Sequence, residues 1–181
     1  LMLIDIMNDL GEFECAHEML LKAKEANPDD KRITRIEAMV VGAHKKHRLS
    51  MLERKHEEGL LTGSEHFEKA ELHSDLGQIQ EAIVHFQRAA DDQDLAQISM
   101  AKMAVNLCDR GMYDLAAEML DPIELTRELD DRHPDMKEMF YVVSRTLERI
   151  KSHELALTFY KRIFYVDASY RDVVRRLERL S

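Results

Sequence analysis

The sequence predicts an all-α fold: a right-handed superhelical array of antiparallel helix pairs. Three observations predict it. Gly11, Ala16, Leu20, Ala23 and Pro28 sit at successive steps of five, four, three and five residues, and Gly77, Ala82, Phe86 and Ala89, then Gly111, Ala116, Leu120 and Ile123, repeat the first three steps. Ala82 and Ala116 are 34 residues apart, a period that belongs to stacked helix pairs. Only three prolines and six glycines punctuate 181 residues, which favours long helices with short turns over strands.

Taken in order, residues 1–10 read as the end of a helix turned at Gly11, and Phe13 to Ala26 as its partner, stopped before Pro28. Asp29 or Asp30 is a suitable N-cap for the next helix. From Lys31 to about Glu58, Ile33, Ile36, Val40, Ala43 and His47 keep three- and four-residue steps, the spacing of one helix face. This segment reads as one long helix, with a degenerate pair broken near His44 as the alternative. Gly59, Thr62 and Gly63 end it.

Ser64 is the expected cap of the next helix, which turns at Gly77 into Glu81–Ala90. Leu95 to Arg110 and the stretch from Tyr113 form another pair about Gly111. Ala116 to Ala156 is 40 residues, six more than the period, and the excess lies in 121–135, where Pro122 breaks the helix. Asp135 is the expected cap of a helix reaching Ile150, with Glu154 to Tyr165 packed back on it. Tyr170 to Leu180 is a final helix with Val173, Val174, Leu177 and Leu180 on one side and arginines elsewhere, the charged outer face that the end of an array requires. The expected division is 1–63, a helix pair followed by the long helix, and 64–181, three pairs plus a terminal helix.

Composition narrows the function. Hydrophobic residues make up 45% and charged residues 34% of the chain, as in an ordinary folded domain. Net charge is −9, and because the first 56 residues are balanced, it all lies in 57–181. Such a surface repels phosphate backbones, so no nucleic-acid partner is expected. The one basic run, His44 to His56, reads either as a phosphate-binding strip or, with more weight, as the solvated face of a helix. No run of apolar residues is long enough for a membrane span. Cys15 and Cys108 lack partner spacing and are expected to be buried free thiols, which points to a reducing, cytoplasmic location.

The residues resemble the tetratricopeptide repeat, in which a glycine closes the turn between two helices, small residues allow their close approach and a proline closes the repeat. Gly11, Ala16, Leu20, Ala23 and Pro28 match all five positions. Gly77, Ala82, Phe86 and Ala89 match four, with Asp94 in the place of proline. In the third repeat Ile123 replaces alanine. In the fourth, Ala156 and Tyr160 match, while Lys151 replaces glycine and Ala168 replaces proline. Ala70, Ala104 and Ser144 fill the small position of the first helix of their pairs. The closing stretch from Phe159 is similar to the last repeat and capping helix of bacterial tetratricopeptide proteins.

That resemblance implies a protein–protein interaction scaffold that binds a peptide or partner helix in a concave groove. Mapped onto this chain, the concave face carries Glu71, Asp75, Lys102, Val105, Asp109, Tyr141, Arg145 and Arg149, acidic at one end and basic at the other. Ala101, Val105, Phe67 and Glu71 depart from the pattern of members that clamp chaperone C-termini, so that ligand is not expected. An alternative reading is a regulatory or sensor module of a longer multidomain protein, motivated by a chain that starts inside a helix.

No nucleophile elbow, phosphate loop or nucleotide fingerprint is present, so the expectation is a non-enzyme without cofactor. His44 and His47, or His66 and His73, do not supply three or four converging ligands, and no metal site is expected. His73 reads as a packed residue with one hydrogen bond. Met100 and Met103 read as core. Leu1, Leu3, Ile4 and Met7 are expected to form an apolar face at the N-terminal end that either the long 31–58 helix or a second copy of the chain covers, and the second suggests a homodimer through the N-terminal third.

Overall fold

The computed structural model describes all 181 residues, which form eleven helices and no strand. The chain divides into two compact units, Leu1–Leu61 and Thr62–Ser181.

In the first unit α1 (Met2–Asp9) and α2 (Phe13–Ala26) form a hairpin, and α3 (Lys31–Glu57) packs on both. The long segment is a single 27-residue helix, about 40 Å at 1.5 Å per residue. Asp30, rather than Asp29, caps it by accepting from the Arg32 amide. The cluster between these helices is small, Ile4, Ala16, Leu20, Ile33 and Val40, and Leu49 and Leu52 are buried farther along α3. The long helix helps to cover most of the expected apolar face: Ile4 is buried among α2 and α3 residues, and Leu1 and Met7 pack against the same cluster; Leu3 stays exposed, with Met2 (78% exposed), Ile6 and Leu10. Cys15 is also exposed, against expectation, since Ala16 beside it takes the inward position, whereas Cys108 is buried as expected.

The second unit contains three helical hairpins: α4 (Gly63–Asp75) with α5 (Ile79–Ala89), α6 (Ala96–Asp109) with α7 (Tyr113–Leu120), and α9 (Met136–Arg149) with α10 (His153–Val166). α11 (Val173–Leu180) packs on α10. Ala82, Ala116 and Ala156, and Ala70, Ala104 and Ser144 opposite them, are fully buried, so small side chains do sit where paired helices approach most closely.

The turns share one construction. At Gly77, Gly111 and Lys151 the helix ends in a left-handed residue. Its amide donates three residues back, and the next amide donates five back: Gln78 to His73, Met112 to Leu107 and Ser152 to Leu147, each 2.9 Å. This pair of bonds satisfies carbonyls that a helix end leaves open. Gly11 in the first unit closes its helix the same way.

Two local expectations are corrected. Thr62, not Ser64, caps α4: its hydroxyl accepts from the Glu65 amide while the Glu65 carboxylate accepts from the Thr62 amide, a reciprocal box that Ser64 is too far along the chain to make. Asp135 occupies the N-cap position of α9 but makes no side-chain cap bond. The six surplus residues after α7 are not simply a broken helix either. They contain α8 (Arg127–Arg132), capped by the Thr126 hydroxyl accepting from the Leu129 amide.

Candidate functional site

The second unit carries two cavities along the helices expected to line a groove. The larger, about 400 Å³, lies between α9 and α11, with Glu138, Tyr141, Arg145, Arg149, Arg171 and Arg176 in its wall. The α9 residues reach it because Met136, Met139, Phe140, Val143 and Leu147 take the buried face, leaving 138, 145 and 149 on the other.

Tyr141 is 4% exposed and forms the floor. Its ring meets Tyr160 and Tyr170 edge-on at 6.0 and 5.9 Å, and its hydroxyl donates to Asp172 at 2.5 Å. The guanidiniums of Arg171 and Arg176 lie 4.9 and 5.7 Å from the ring centroid, where the electron-rich face attracts a cation.

Every carboxylate around this cavity is already paired. Glu148 accepts from the Tyr160 hydroxyl at 2.9 Å and from Arg176 at 2.7 Å, and also pairs with Arg179. Glu138 accepts from Tyr170 at 2.7 Å and pairs with Arg171 at 2.6 Å. Asp172 takes a second bond from Arg176 at 3.0 Å. Hydrogen bonds from Arg176 and Tyr141 hold the Asp172 carboxyl below its ordinary range, burial opposing them. Burial works against the charge of Arg176, but its bonds to Asp172 and Tyr141 and the neighbouring tyrosines together outweigh this and raise its pKa. Burial pushes the Tyr160 hydroxyl up to about 12. Arg149 stands apart from this network, and Arg145 touches it only over the face of the Tyr141 ring, 6.0 Å from its centroid. They are exposed, one helical turn apart, and neither is ion-paired. The cavity therefore carries two uncancelled positive charges on an otherwise acidic protein.

The smaller cavity, about 180 Å³, lies between α4, α6 and the segment before α9. Phe67, Leu95, Ile98 and Pro134 supply apolar walls. Lys102 donates to Glu71 at 2.8 Å across one side, and Arg132, His133 and Asp135 close another. Asn106 donates to the Lys102 carbonyl at 2.9 Å and accepts from the Ser74 hydroxyl at 2.9 Å, fixing α6 against α4 beside the cavity.

Of the eight residues expected in the groove, Tyr141, Arg145 and Arg149 meet at the larger cavity and Glu71 and Lys102 at the smaller. Asp75, Val105 and Asp109 line neither: Val105 is half-buried against the core, and Asp75 and Asp109 lie at the ends of their helices. Arg171, Arg176 and residues 132–135 join the cavities although sequence spacing does not single them out. The charge pattern assigns the arginines of the last helix to its outer face, yet Arg176 turns inward onto Glu148. The only sequence signal for 132–135 is the surplus of six residues.

His73 and His85 of the first hairpin in this unit behave as packing groups. His73 is buried and bonds through Nδ1 to the Gln78 side-chain carbonyl at 2.7 Å, its ring parallel to that of His85. Met103 is buried and Met100 half-buried in the core.

Among solved structures the chain is similar to YrrB, a TPR protein with an unusual peptide-binding site. The match spans 97% of this chain and 88% of YrrB at 17% identity, with a TM-score of 0.57. The fold is that of a tetratricopeptide-repeat array. A scan of protein families and a search of curated proteins return no match to the sequence. In the terms of the repeat, α4, α6 and α9 are the first helices of three successive pairs, α5, α7 and α10 the second helices, and α11 the cap. Both cavities are lined by first helices, with the cap completing one and the insert completing the other. No helix is long and apolar enough to cross a membrane.

Proposed function

We propose that this chain is a non-catalytic protein-interaction scaffold that binds an extended peptide along the first helices of the 62–181 array, with an acidic residue of the peptide over Arg145 and Arg149. The observation that carries this reading is the charge state of the larger cavity. Its own carboxylates are consumed by Arg171, Arg176, Arg179 and tyrosine hydroxyls, and two exposed guanidiniums remain. Guanidinium forks bind carboxylate oxygens in pairs, and a partly enclosed cavity screens them less than open solvent does. The tyrosines are spoken for: Tyr141 and Tyr160 donate to Asp172 and Glu148, so recognition falls to the arginines.

The test is the double reversal Arg145→Glu/Arg149→Glu. Both side chains are exposed, so the helical circular-dichroism spectrum and melting temperature should persist while bound partners are lost from pull-downs. An unchanged set of bound partners rejects the assignment.

A second reading, self-association through residues 1–61, is favoured by one observation: Met2, Leu3, Ile6 and Leu10 expose apolar surface on a single short helix and its turn. Sedimentation at micromolar concentration should then show a dimer that Leu3→Glu/Ile6→Glu dissociates; a monomer throughout rejects it.

A further inference from the structure

The sequence breaks its own period once, by six residues, and the smaller cavity lies where that surplus meets the first helices. In a regular array the helix pair about Gly111 would lead directly into the next first helix. Here α8 intervenes, and the segment leaving it, Arg132 to Asp135, forms a wall opposite Phe67 and Ile98. A stretch of inner face that would be open is thereby turned into a pocket.

We propose that this insert-built pocket receives one apolar side chain of the bound peptide; the inference rests on the peptide-binding reading above. Three features choose the occupant. The apolar walls, Phe67, Leu95, Ile98 and Pro134, come from three separate segments, so the pocket is apolar on several sides. Its cations are already engaged: Lys102 is paired with Glu71 at 2.8 Å and Arg132 with Glu128 at 3.0 Å, so no anionic ligand is called for, and the exposed Asp135 lies at the rim. The volume, about 180 Å³, corresponds to some six waters, room for one branched aliphatic or aromatic side chain. Waters held against such walls are released favourably by an apolar group.

The same geometry sets a register. The pocket lies at the start of α9, at Asp135, and the free arginines begin at Arg145. Ten residues of helix separate them, about 15 Å. An extended peptide advances about 3.3 Å per residue, so its apolar anchor and its acidic residue should be four to five positions apart.

A phage-displayed library of random dodecapeptides, selected on the full chain, tests this. Enriched peptides should carry a large apolar residue four to five positions from an acidic one. Replacing that apolar residue by alanine should weaken binding roughly tenfold by fluorescence anisotropy. The penalty should vanish on Ile98→Asp and on Pro134→Glu. The second variant alters an exposed turn residue and keeps the test valid if the first fails to fold. Peptides selected for acidic residues alone, and lost on Arg145→Glu/Arg149→Glu, overturn the pocket and leave the peptide-binding reading standing. Absence of any enrichment overturns both.

Discussion

The two units use the same repeat chemistry at different depth. In 1–61 one hairpin leans on a single long helix, and the cluster between them holds five buried residues, the largest of them isoleucine and leucine, with only Leu49 and Leu52 buried farther along α3. In 62–181 the second and third hairpins share a large core containing Phe140, Phe159 and Tyr160, all almost wholly buried, and the first hairpin adds a smaller cluster, Ala70, Ala82 and Phe86 with Met103, joined to it through the half-buried Phe67, Ile83, Met100 and Met119. Stacking accounts for the difference. A helix pair cannot bury its apolar face alone, and each added pair covers the face of the last. The long α3 has polar or charged residues at most of its positions, so it covers the first hairpin with one narrow stripe: Ile33, Ile36 and Val40, with Val41 beside it.

The largest expected effect comes from that contrast. Phe140→Ala removes a fully buried ring that meets Phe159 edge-on at 5.9 Å, within the large core of the second unit. It should cost about 3–5 kcal/mol. Leu20→Ala in the first unit should fall nearer to about 2 kcal/mol, because a thin core collapses more readily around the gap. Hydrogen exchange read separately over the two units is the suitable measurement, since a two-unit chain need not unfold in one step. Equal losses of protection would break the comparison.

Next comes the C-terminal cap. Removing Arg176 leaves Glu148 and Asp172 each short of a charged donor in a partly buried setting. Arg176→Ala should cost about 2–3 kcal/mol and loosen α11 first, visible as faster exchange over 173–180. The pH dependence has a definite sign. Asp172 has a lowered pKa in the fold, so its contribution is present above the free-side-chain value near about 4 and drains as pH falls through the folded value. Tyr160, raised to about 12, works the other way: its contribution is complete below about 10 and is lost as pH rises toward 12. Loosening of α11 should therefore appear at both extremes, and the acid limb should disappear in Asp172→Asn.

Much of this fold is legible in the sequence because the repeat is enforced locally. A residue at a helix crossing has to be small, so Ala82, Ala116 and Ala156 can be placed by spacing alone, and all three are fully buried. A left-handed helix end favours glycine, so Gly11, Gly77 and Gly111 mark their turns. The site is less legible because it depends on how distant segments dock. Glu148 meets Arg176 across 28 residues and Lys102 meets Glu71 across 31, and neither pairing leaves a trace in local periodicity. The inward turn of Arg176 escapes sequence reading for a related reason. An amphipathic stripe tells which residues of α11 face the core, but a long side chain beside that stripe can fold back over it. Even the caps show this limit: Thr62 and Ser64 are both good cap residues by type, and only the partner at Glu65 selects Thr62.

A smaller effect comes from the one hairpin turn whose left-handed residue is not glycine. Lys151 holds φ 66° with the same pair of closing bonds as Gly77 and Gly111. A side chain in that conformation carries strain that glycine lacks. Lys151→Gly should stabilise the second unit by about 1 kcal/mol, raising its denaturation midpoint without altering the slope of the transition.

The smallest effect sharpens the comparison because it repeats the chemistry of Arg176 and Glu148 in the other unit. Lys24 of α2 reaches Glu37 of α3 at 2.5 Å, a shorter separation than the 2.7 Å between Arg176 and Glu148. Distance alone would rank the N-terminal pair stronger. Burial reverses the order. Lys24 and Glu37 are 48% and 33% exposed, against 17% and 11% for Arg176 and Glu148. Water solvates the exposed pair almost as well apart as together, and ordering a lysine side chain offsets most of the attraction. Lys24→Ala should therefore cost less than about 0.5 kcal/mol, and that small loss should vanish at a salt concentration of about 1 M, where screening acts over about 3 Å. The Arg176→Ala penalty, arising in a desolvated network, should survive most of the same salt. Urea titrations of both variants at low and high salt decide the point. A Lys24 penalty as large and as salt-resistant as that of Arg176 would mean that packing depth does not separate the two units.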